Sequence, residues 1–317
     1  MSDGNTAHSV SAPGSLGRRL AAGAVVLYSL ITLLPLLWIF MTGFKTPPDS
    51  ISYPPKVVFE PSLEGYVNLF TTRSRQTPEY MASLPPPDTW YEELVRSRDM
   101  VIAGPSKFGE RMMNSIIIGF GSTFLSVLLG TLAAYGFSRF KVPLEDDLMF
   151  FILSTRMMPP IAVAIPIFLM YRTLGLSDTH LGMIILYTGV NVSLAVWLLK
   201  GFIDEIPREY EEAAMIDGYT RFQAFMKVVL PQAATGIAAT AIFCLIFSWN
   251  EYAFALLLTS GTAQTAPPFI PTIIGEGGLD WPAVAAGATI FLIPIVVFTI
   301  LLRKHLLRGI TFGAVRK

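Results

Sequence analysis

Residues 211–231 read Glu211-Glu212-Ala213-Ala214-Met215-Ile216-Asp217-Gly218-Tyr219-Thr220-Arg221-Phe222-Gln223-Ala224-Phe225-Met226-Lys227-Val228-Val229-Leu230-Pro231. This polar, helix-prone stretch lies between two long apolar runs, 181–199 and 233–249. Glu212, Ala213 and Ala214 are strong helix formers, Gly218 permits a sharp bend, and Pro231 is read as the start of the next element. A charged helix–glycine–helix hairpin between two segments of membrane-spanning length has to lie at the water surface. There it is placed to pass force from a soluble partner to the membrane part.

Working outward, the composition agrees. Of 317 residues, 52% are hydrophobic and only 15% charged, against about 25% charged in a soluble domain. That deficit, spread over repeated uncharged runs, describes an all-α polytopic membrane protein. Net charge is +0, which gives no support to nucleic-acid binding. The single cysteine, Cys244, sits in an apolar run and reads as a packed thiol. Three scattered histidines and one cysteine offer no metal constellation.

Six segments are long and apolar enough to cross a hydrocarbon core: 20–44, 114–138, 148–171, 181–199, 233–258 and 284–302. Residues 1–19 read as a disordered tail rich in Ser, Gly and Ala. The run after Arg18-Arg19 is too long for a signal's apolar core and is followed by no cleavage pattern. Lysine and arginine cluster in the tails, in the 139–141 connection and around the hairpin, so both termini and residues 204–231 are expected in the cytoplasm. Residues 114–302 form the core, and 303–317 a cytoplasmic tail that holds Arg308, Arg316 and Lys317 near the inner face. The long extracytoplasmic segment 45–113 is expected to carry a short ordered piece around Trp90-Tyr91 on a proline-rich tether.

At this point the chain resembles a known family. Glu212-Ala213-Ala214, Asp217-Gly218 and Leu230-Pro231 stand at the spacing of the EAA loop of ABC-importer permeases, the carbohydrate type of which the maltose transporter is an example. The resemblance runs from about residue 20 to the C-terminus. It includes Asn114-Ser115, Pro159-Pro160, Trp249-Asn250-Glu251 and the tail Gly309-Ile310-Thr311-Phe312-Gly313-Ala314-Val315. Tyr219 departs from it, since the family more often has a small residue there, and residues 71–107 look like an insertion relative to shorter relatives.

The resemblance implies a six-span permease subunit moving a sugar or sugar alcohol by alternating access. It would pair with a second homologous permease, two copies of an ATPase subunit and an extracytoplasmic solute-binding protein, within membrane lipids. ATPase coupling would fall on Glu211, Glu212, Ala213, Ala214, Asp217, Gly218, Leu230 and Pro231, with Glu212 as ion partner and Ala213, Ala214 and Met215 in the ATPase groove. The chain contains no Gly-Lys dipeptide and hence no phosphate-cradling Gly-x-x-x-x-Gly-Lys loop. No catalytic residue and no cofactor is expected in it; ATP and Mg would be bound by the partner ATPase.

Polar residues within spans are expensive and mark contacts or pathways. Arg156, beside a helix-kinking Pro159-Pro160, reads as a structural carbonyl or ion contact or as a substrate contact. Asn191 reads as interhelical glue or as a sugar ligand. Asn250 and Glu251 read as an interfacial capped pair or as an outer gate. By the same resemblance, Gly277, Gly278, Asp280 and Trp281 form an outer loop that contacts the binding protein. Two other readings remain open: an ABC permease for a non-sugar solute, which would share the hairpin, and an ion-gradient-driven transporter. The latter needs titratable residues near the midplane, where only Arg156 stands.

Overall fold

The computed structural model describes residues 15–275 and 278–312, so expectations for residues 1–14, Gly277 and 313–317 lie outside the described residues. Helices dominate. After α1 (Ser15–Thr42) come the short α2 (Pro47–Ser50) and α3 (Glu64–Phe70). Strand β1 (Thr71–Arg75), α4 (Pro78–Ser83), α5 (Trp90–Arg96) and β2 (Met100–Pro105) follow. The core is α6 (Phe108–Arg139), α7 (Glu145–Ser154), α8 (Pro160–Leu174) and α9 (His180–Asp204), then α10 (Glu209–Ile216), α11 (Arg221–Ala224) and α12 (Leu230–Trp249). Helices α13 (Ala253–Leu258) and α14 (Ala266–Phe269), the two-residue strands β3 (Ile274–Gly275) and β4 (Gly278–Leu279), and α15 (Trp281–Phe312) complete the chain.

Five helices among the described residues are long and apolar enough to span a membrane, and the pair α7–α8 makes a sixth, bent by 91°. The first of these begins at Ser15, ahead of the expected 20, and none of its apolar window is buried; its main contact is with α15.

Small residues decide the core. Along α6, Ser122, Ser126, Gly130, Ala134 and Ser138 recur every fourth position and are all buried. Residues four apart share one face of a helix, so this stripe lets backbones approach closely. A Cβ on Gly130 would stand 2.5 Å from Ala195 Cβ of α9, which leaves no room for any other residue. Helix α12 closes the third side, where Asn191 Nδ2 of α9 donates to Ser248 Oγ at 2.8 Å and Ser122 Oγ meets the same hydroxyl at 3.0 Å.

Two expected spans are interrupted. Pro159-Pro160 remove two backbone donors, and the helix does not merely kink at 148–171. It ends in a 3-10 turn, Thr155–Met157, and restarts at Pro160. The expected 233–258 span ends at Trp249, and α13 is a separate short helix.

Pro231 stands in the first turn of α12, as expected, but no break precedes it: helix runs on from Arg221 to Trp249 through a π-turn at Phe225–Val229. The proline lacks an N–H and its ring crowds the carbonyl four residues back. The helix accommodates this by widening, with Leu230 N–H bonding Phe225 O.

The insertion is more ordered than a tether. Strands β1 and β2 pair antiparallel from Thr71↔Pro105 to Arg75↔Met100, and Val67, Val95 and Met100 form a small core beneath them. Arg98 bonds Glu64 through Nε and one terminal nitrogen, both at 3.1 Å.

At the same end, the Asn114-Ser115 pair pins the loop after α13. Asn114 Nδ2 donates to the carbonyls of Thr262 (2.8 Å) and Gln264 (2.9 Å), its Oδ1 meets His180 Nε2 at 2.7 Å, and Ser115 Oγ accepts from Ala266 N–H at 2.9 Å. Asp178 accepts backbone N–H bonds from Ser260, Thr262 and Ala263 at 3.3, 2.8 and 3.0 Å. Partial burial pushes its carboxyl pKa up, but these amides outweigh that and hold it below the ordinary value. Such a group adds stability above its unfolded pKa of about 3.9 and loses it as pH falls through the folded value. Purified Asp178→Asn should therefore melt below the wild type at pH 7, with the gap closing as pH falls through the lowered pKa of this carboxyl. A gap that is constant with pH would assign the stabilisation to something other than this carboxylate.

Candidate functional site

The hairpin is built from local bonds. Helix α10 ends where Gly218 adopts φ +92°, a conformation that side chains strain to reach. Gly218 N–H and Tyr219 N–H then bond Met215 O and Ala214 O, both at 3.1 Å, which closes the last turn. Thr220 and Gln223 form a capping box that opens α11, with bonds of 3.2 and 2.8 Å. Tyr219 turns its ring under Lys227 Nζ at 4.6 Å, so the family's usual small residue is replaced here by a cation–π contact.

The coupling residues divide between two faces. Glu212, Ala213, Asp217 and Gly218 are exposed, as is Ile216 at 86%. Glu211 and Ala214 are buried at 5% each, so neither is presented to a partner; Ala214 packs inside the protein rather than in a groove of another chain. Leu230 packs against the cluster of Tyr135, Leu199, Phe225 and Val229, whereas Pro231 is exposed.

Of the four residues considered for a pathway, Arg156 and Asn191 come together. Arg156 Nη1 donates to Val190 O at 3.2 Å and Asn191 Oδ1 at 3.4 Å, and its guanidinium lies over Phe247 at 4.1 Å. These are carbonyl and ring contacts, and through Asn191 the chain of polar groups continues to Ser248 and Ser122.

Asn250 and Glu251 serve the break after α12. Trp249 Nε1 donates to Phe291 O at 3.1 Å, and Asn250 Nδ2 returns to Ile246 O at 2.8 Å. Glu251 caps α13 by accepting from Phe254 N–H (2.9 Å) and Ala255 N–H (3.0 Å), and Tyr187 OH donates to it at 2.7 Å.

In the loop before α15, Gly278 turns at φ +114° and Trp281 is 48% exposed. Asp280 is only 3% exposed and fully committed. Its carboxylate takes Arg73 and Asn68 at 2.9 Å each and caps α15 through Ala283 N–H at 3.1 Å. Its side chain is therefore unavailable to a binding protein. Beside it opens a cleft of about 390 Å³ between Pro47, Ile51, Leu279 and Trp281.

The contacts of Tyr135, Arg139, Tyr187, Asp178 and Arg73 went unread in the sequence, where Arg139 counted only as a cytoplasmic-side charge. Their partners lie far along the chain, 207 residues away for Arg73 and 76 for Tyr135, so no local motif points to them.

Residues 126–312 match the family of binding-protein-dependent transport system inner membrane components. The chain belongs to that family. It is 34% identical over 307 residues to the trehalose transport system permease protein SugB of Mycobacterium tuberculosis, covering 95% of this chain and 100% of that one. It is also 28% identical over 303 residues to the trehalose/maltose transport system permease protein MalG of Thermococcus litoralis, covering 95% and 98%. Among solved structures, a chain of a bacterial ABC transporter involved in the import of the acidic polysaccharide alginate superposes with a TM-score of 0.65 at 18% identity, over 92% of this chain and 98% of that one. That likeness is one of fold. The protein is thus a multi-pass inner-membrane permease component of an ABC importer.

If Glu251 holds the break after α12, Glu251→Ala should lower the melting temperature of this permease in detergent and cost about 2 kcal/mol. Glu251→Gln, which keeps one acceptor oxygen, should recover part of the loss. Unchanged melting of Glu251→Ala would assign the break to Trp249 and Asn250 instead.

Proposed function

We propose that this permease carries a sugar or sugar alcohol inward, coupled to ATP hydrolysis by a separate ATPase through the exposed face of its hairpin. The observation that carries the coupling is the division of the hairpin's faces, with Glu212 and Ala213 turned outward beside the Gly218 turn, in a chain that has no phosphate-binding loop of its own. Glu212 pairs with a basic group on the ATPase, and Ala213 and the half-buried Met215 fill its groove. ATP and Mg are bound there and not in this chain.

The assembly joins this subunit to a second homologous permease, an ATPase dimer and an extracytoplasmic solute-binding protein. Closure of the ATPase dimer draws the two hairpins together, and the spans rock between inward-open and outward-open states. The hairpin and both termini are cytoplasmic, and the accessible part of the loop before α15, Gly278 and Trp281, faces the binding protein. Arg156 stands at the break of the third span, bonded to Asn191 of α9, and its guanidinium is the group on the solute's path. The sugar assignment is supported by relatives named for trehalose, for trehalose/maltose and for sulfoquinovosyl glycerol transport.

Gly218→Val tests the coupling. A β-branched residue at φ +92° is strained by about 1–3 kcal/mol, enough to reshape the turn while leaving the spans intact. The variant should reach the membrane in normal amounts, yet lose copurification of the ATPase and ATP-driven uptake in proteoliposomes. Full uptake would remove the turn from the coupling path. Orientation is tested in a Cys244→Ala background. Cysteine at Ser83 or Gly278 should react with an impermeant maleimide from outside, and cysteine at Tyr219 only after permeabilisation. Labelling of position 219 in intact spheroplasts would reverse the orientation.

A further inference from the structure

Two adjacent glutamates of the hairpin do different things. Successive residues on a helix point about 100° apart, and here that turn separates an exposed Glu212 from a buried Glu211. Both carboxylate oxygens of Glu211 are engaged by the last turns of α6. Arg139 Nε forms an ion pair with Oε1, and Tyr135 OH donates to Oε2 at 2.9 Å. The side chains of the pair are 5% and 7% exposed, so water screens it little.

Around this pair the attachment is doubled. Arg139 donates a second bond to Ile206 O at 2.9 Å, and Arg208 donates back to Ser138 O at 2.6 Å, joining the segment before α10 to the end of α6 in both directions. The second arm of the hairpin grips the same place. The Tyr135 ring packs on Phe225 of the π-turn with centroids 4.5 Å apart, and the Arg221 guanidinium lies over Phe140 at 5.1 Å. Helix α6 is thus held by both arms at one end. It carries the Gly130 contact with α9 at its middle, and at its other end Arg111 and Asn114 hold the loop around 261–264. A displacement of the hairpin cannot be absorbed by a slack linker there, because the linker itself is bonded to α6.

We propose that Glu211 is a positioning residue for transport: with Arg139 and Tyr135 it forms a buried clasp through which movement of the hairpin is delivered to α6 and the central helices. This rests on the reading of the hairpin as the ATPase docking element, and it assigns the two glutamates separate tasks, Glu212 to docking and Glu211 to transmission. A buried charge pair suits that task. Its bonds are directional, and the pair resists separation because each half would be left as an unpaired charge away from water.

The test uses the complete importer, reconstituted with its ATPase, second permease and binding protein, and measures uptake per ATP hydrolysed alongside ATPase copurification. Glu211→Gln should retain the ATPase and continue to hydrolyse ATP, while uptake per ATP falls about tenfold, the scale of one lost charge-assisted hydrogen bond. Tyr135→Phe, a gentler change, should give a smaller loss of the same kind. The exchange Glu211→Arg with Arg139→Glu should regain uptake that Arg139→Glu alone does not.

If the clasp is only a folding anchor, Glu211→Gln and Tyr135→Phe will lower the amount of protein or its melting temperature, yet surviving complexes will transport at the wild-type ratio. That result overturns the proposal, as does loss of ATPase copurification in Glu211→Gln, which would make Glu211 a docking residue. Glu212→Ala keeps the two readings apart. It should lose the ATPase altogether; retained copurification there would count against the docking reading, while the uptake ratio of Glu211→Gln still decides the clasp.

Discussion

A peptide N–H or C=O left without a partner in hydrocarbon costs several kcal/mol, and this constraint governs where the chain departs from helix. It does so at three places within its spans, and at each a side chain or a changed helix pitch closes the account. Pro159 and Pro160 bring no N–H for the carbonyls one turn back, and there the helix tightens to a 3-10 turn and breaks before restarting at Pro160. Before Pro231 the π-turn shifts the bond of Leu230 to Phe225 and the helix continues. After Trp249 the side-chain amide of Asn250 adds a second bond to the Ile246 carbonyl, which Asn250 N–H already holds, and the carboxylate of Glu251 takes two free N–H groups of α13. The two charged residues inside the expected spans, Arg156 and Glu251, both stand at such breaks.

The same constraint separates what could be read in the sequence from what could not. The spans followed from long uncharged runs, and the hairpin from local chemistry: helix formers and a glycine able to adopt positive φ. Interactions inside one element are written in consecutive residues. The sequence signal of Pro231 pointed to a new helix, because a proline's cost is usually met by ending the element; the packing of Phe225 and Val229 in the core kept this one continuous. Tyr187 could not have been paired with Glu251, 64 residues on, nor Asp178 with the amides of Thr262 and Ala263. Such pairs depend on which helices lie side by side, and hydropathy does not carry that.

The insertion illustrates the point. Proline-rich composition and mixed charge resemble a solvated tether, yet its strands close on each other and two of its arginines find acids elsewhere. Arg73 reaches Asp280 and Arg98 reaches Glu64. Asp280 holds three elements at once, since its carboxylate bonds Asn68 of α3 and Arg73 of β1 and caps α15. The loop residue that looked free to greet a partner is the one that fastens the ribbon to the last span, and Gly278 and Trp281 are left as the accessible part.

Asp280 and Glu211 are counterparts at opposite ends of the helical core. Each is a buried carboxylate held by an arginine and a second donor from an element distant in sequence, Asn68 for Asp280 and Tyr135 for Glu211. Burying an ion pair rarely adds more net stability than apolar packing would, but parting its members leaves a charge stranded. Apolar contacts between helices, by comparison, slide at little cost when lipid is as apolar as the partner helix. The two carboxylates therefore fasten the ends of the helical core, while along its middle the small-residue stripe of α6 is joined to its neighbours by close packing at Gly130 and by the Ser122–Ser248 bond.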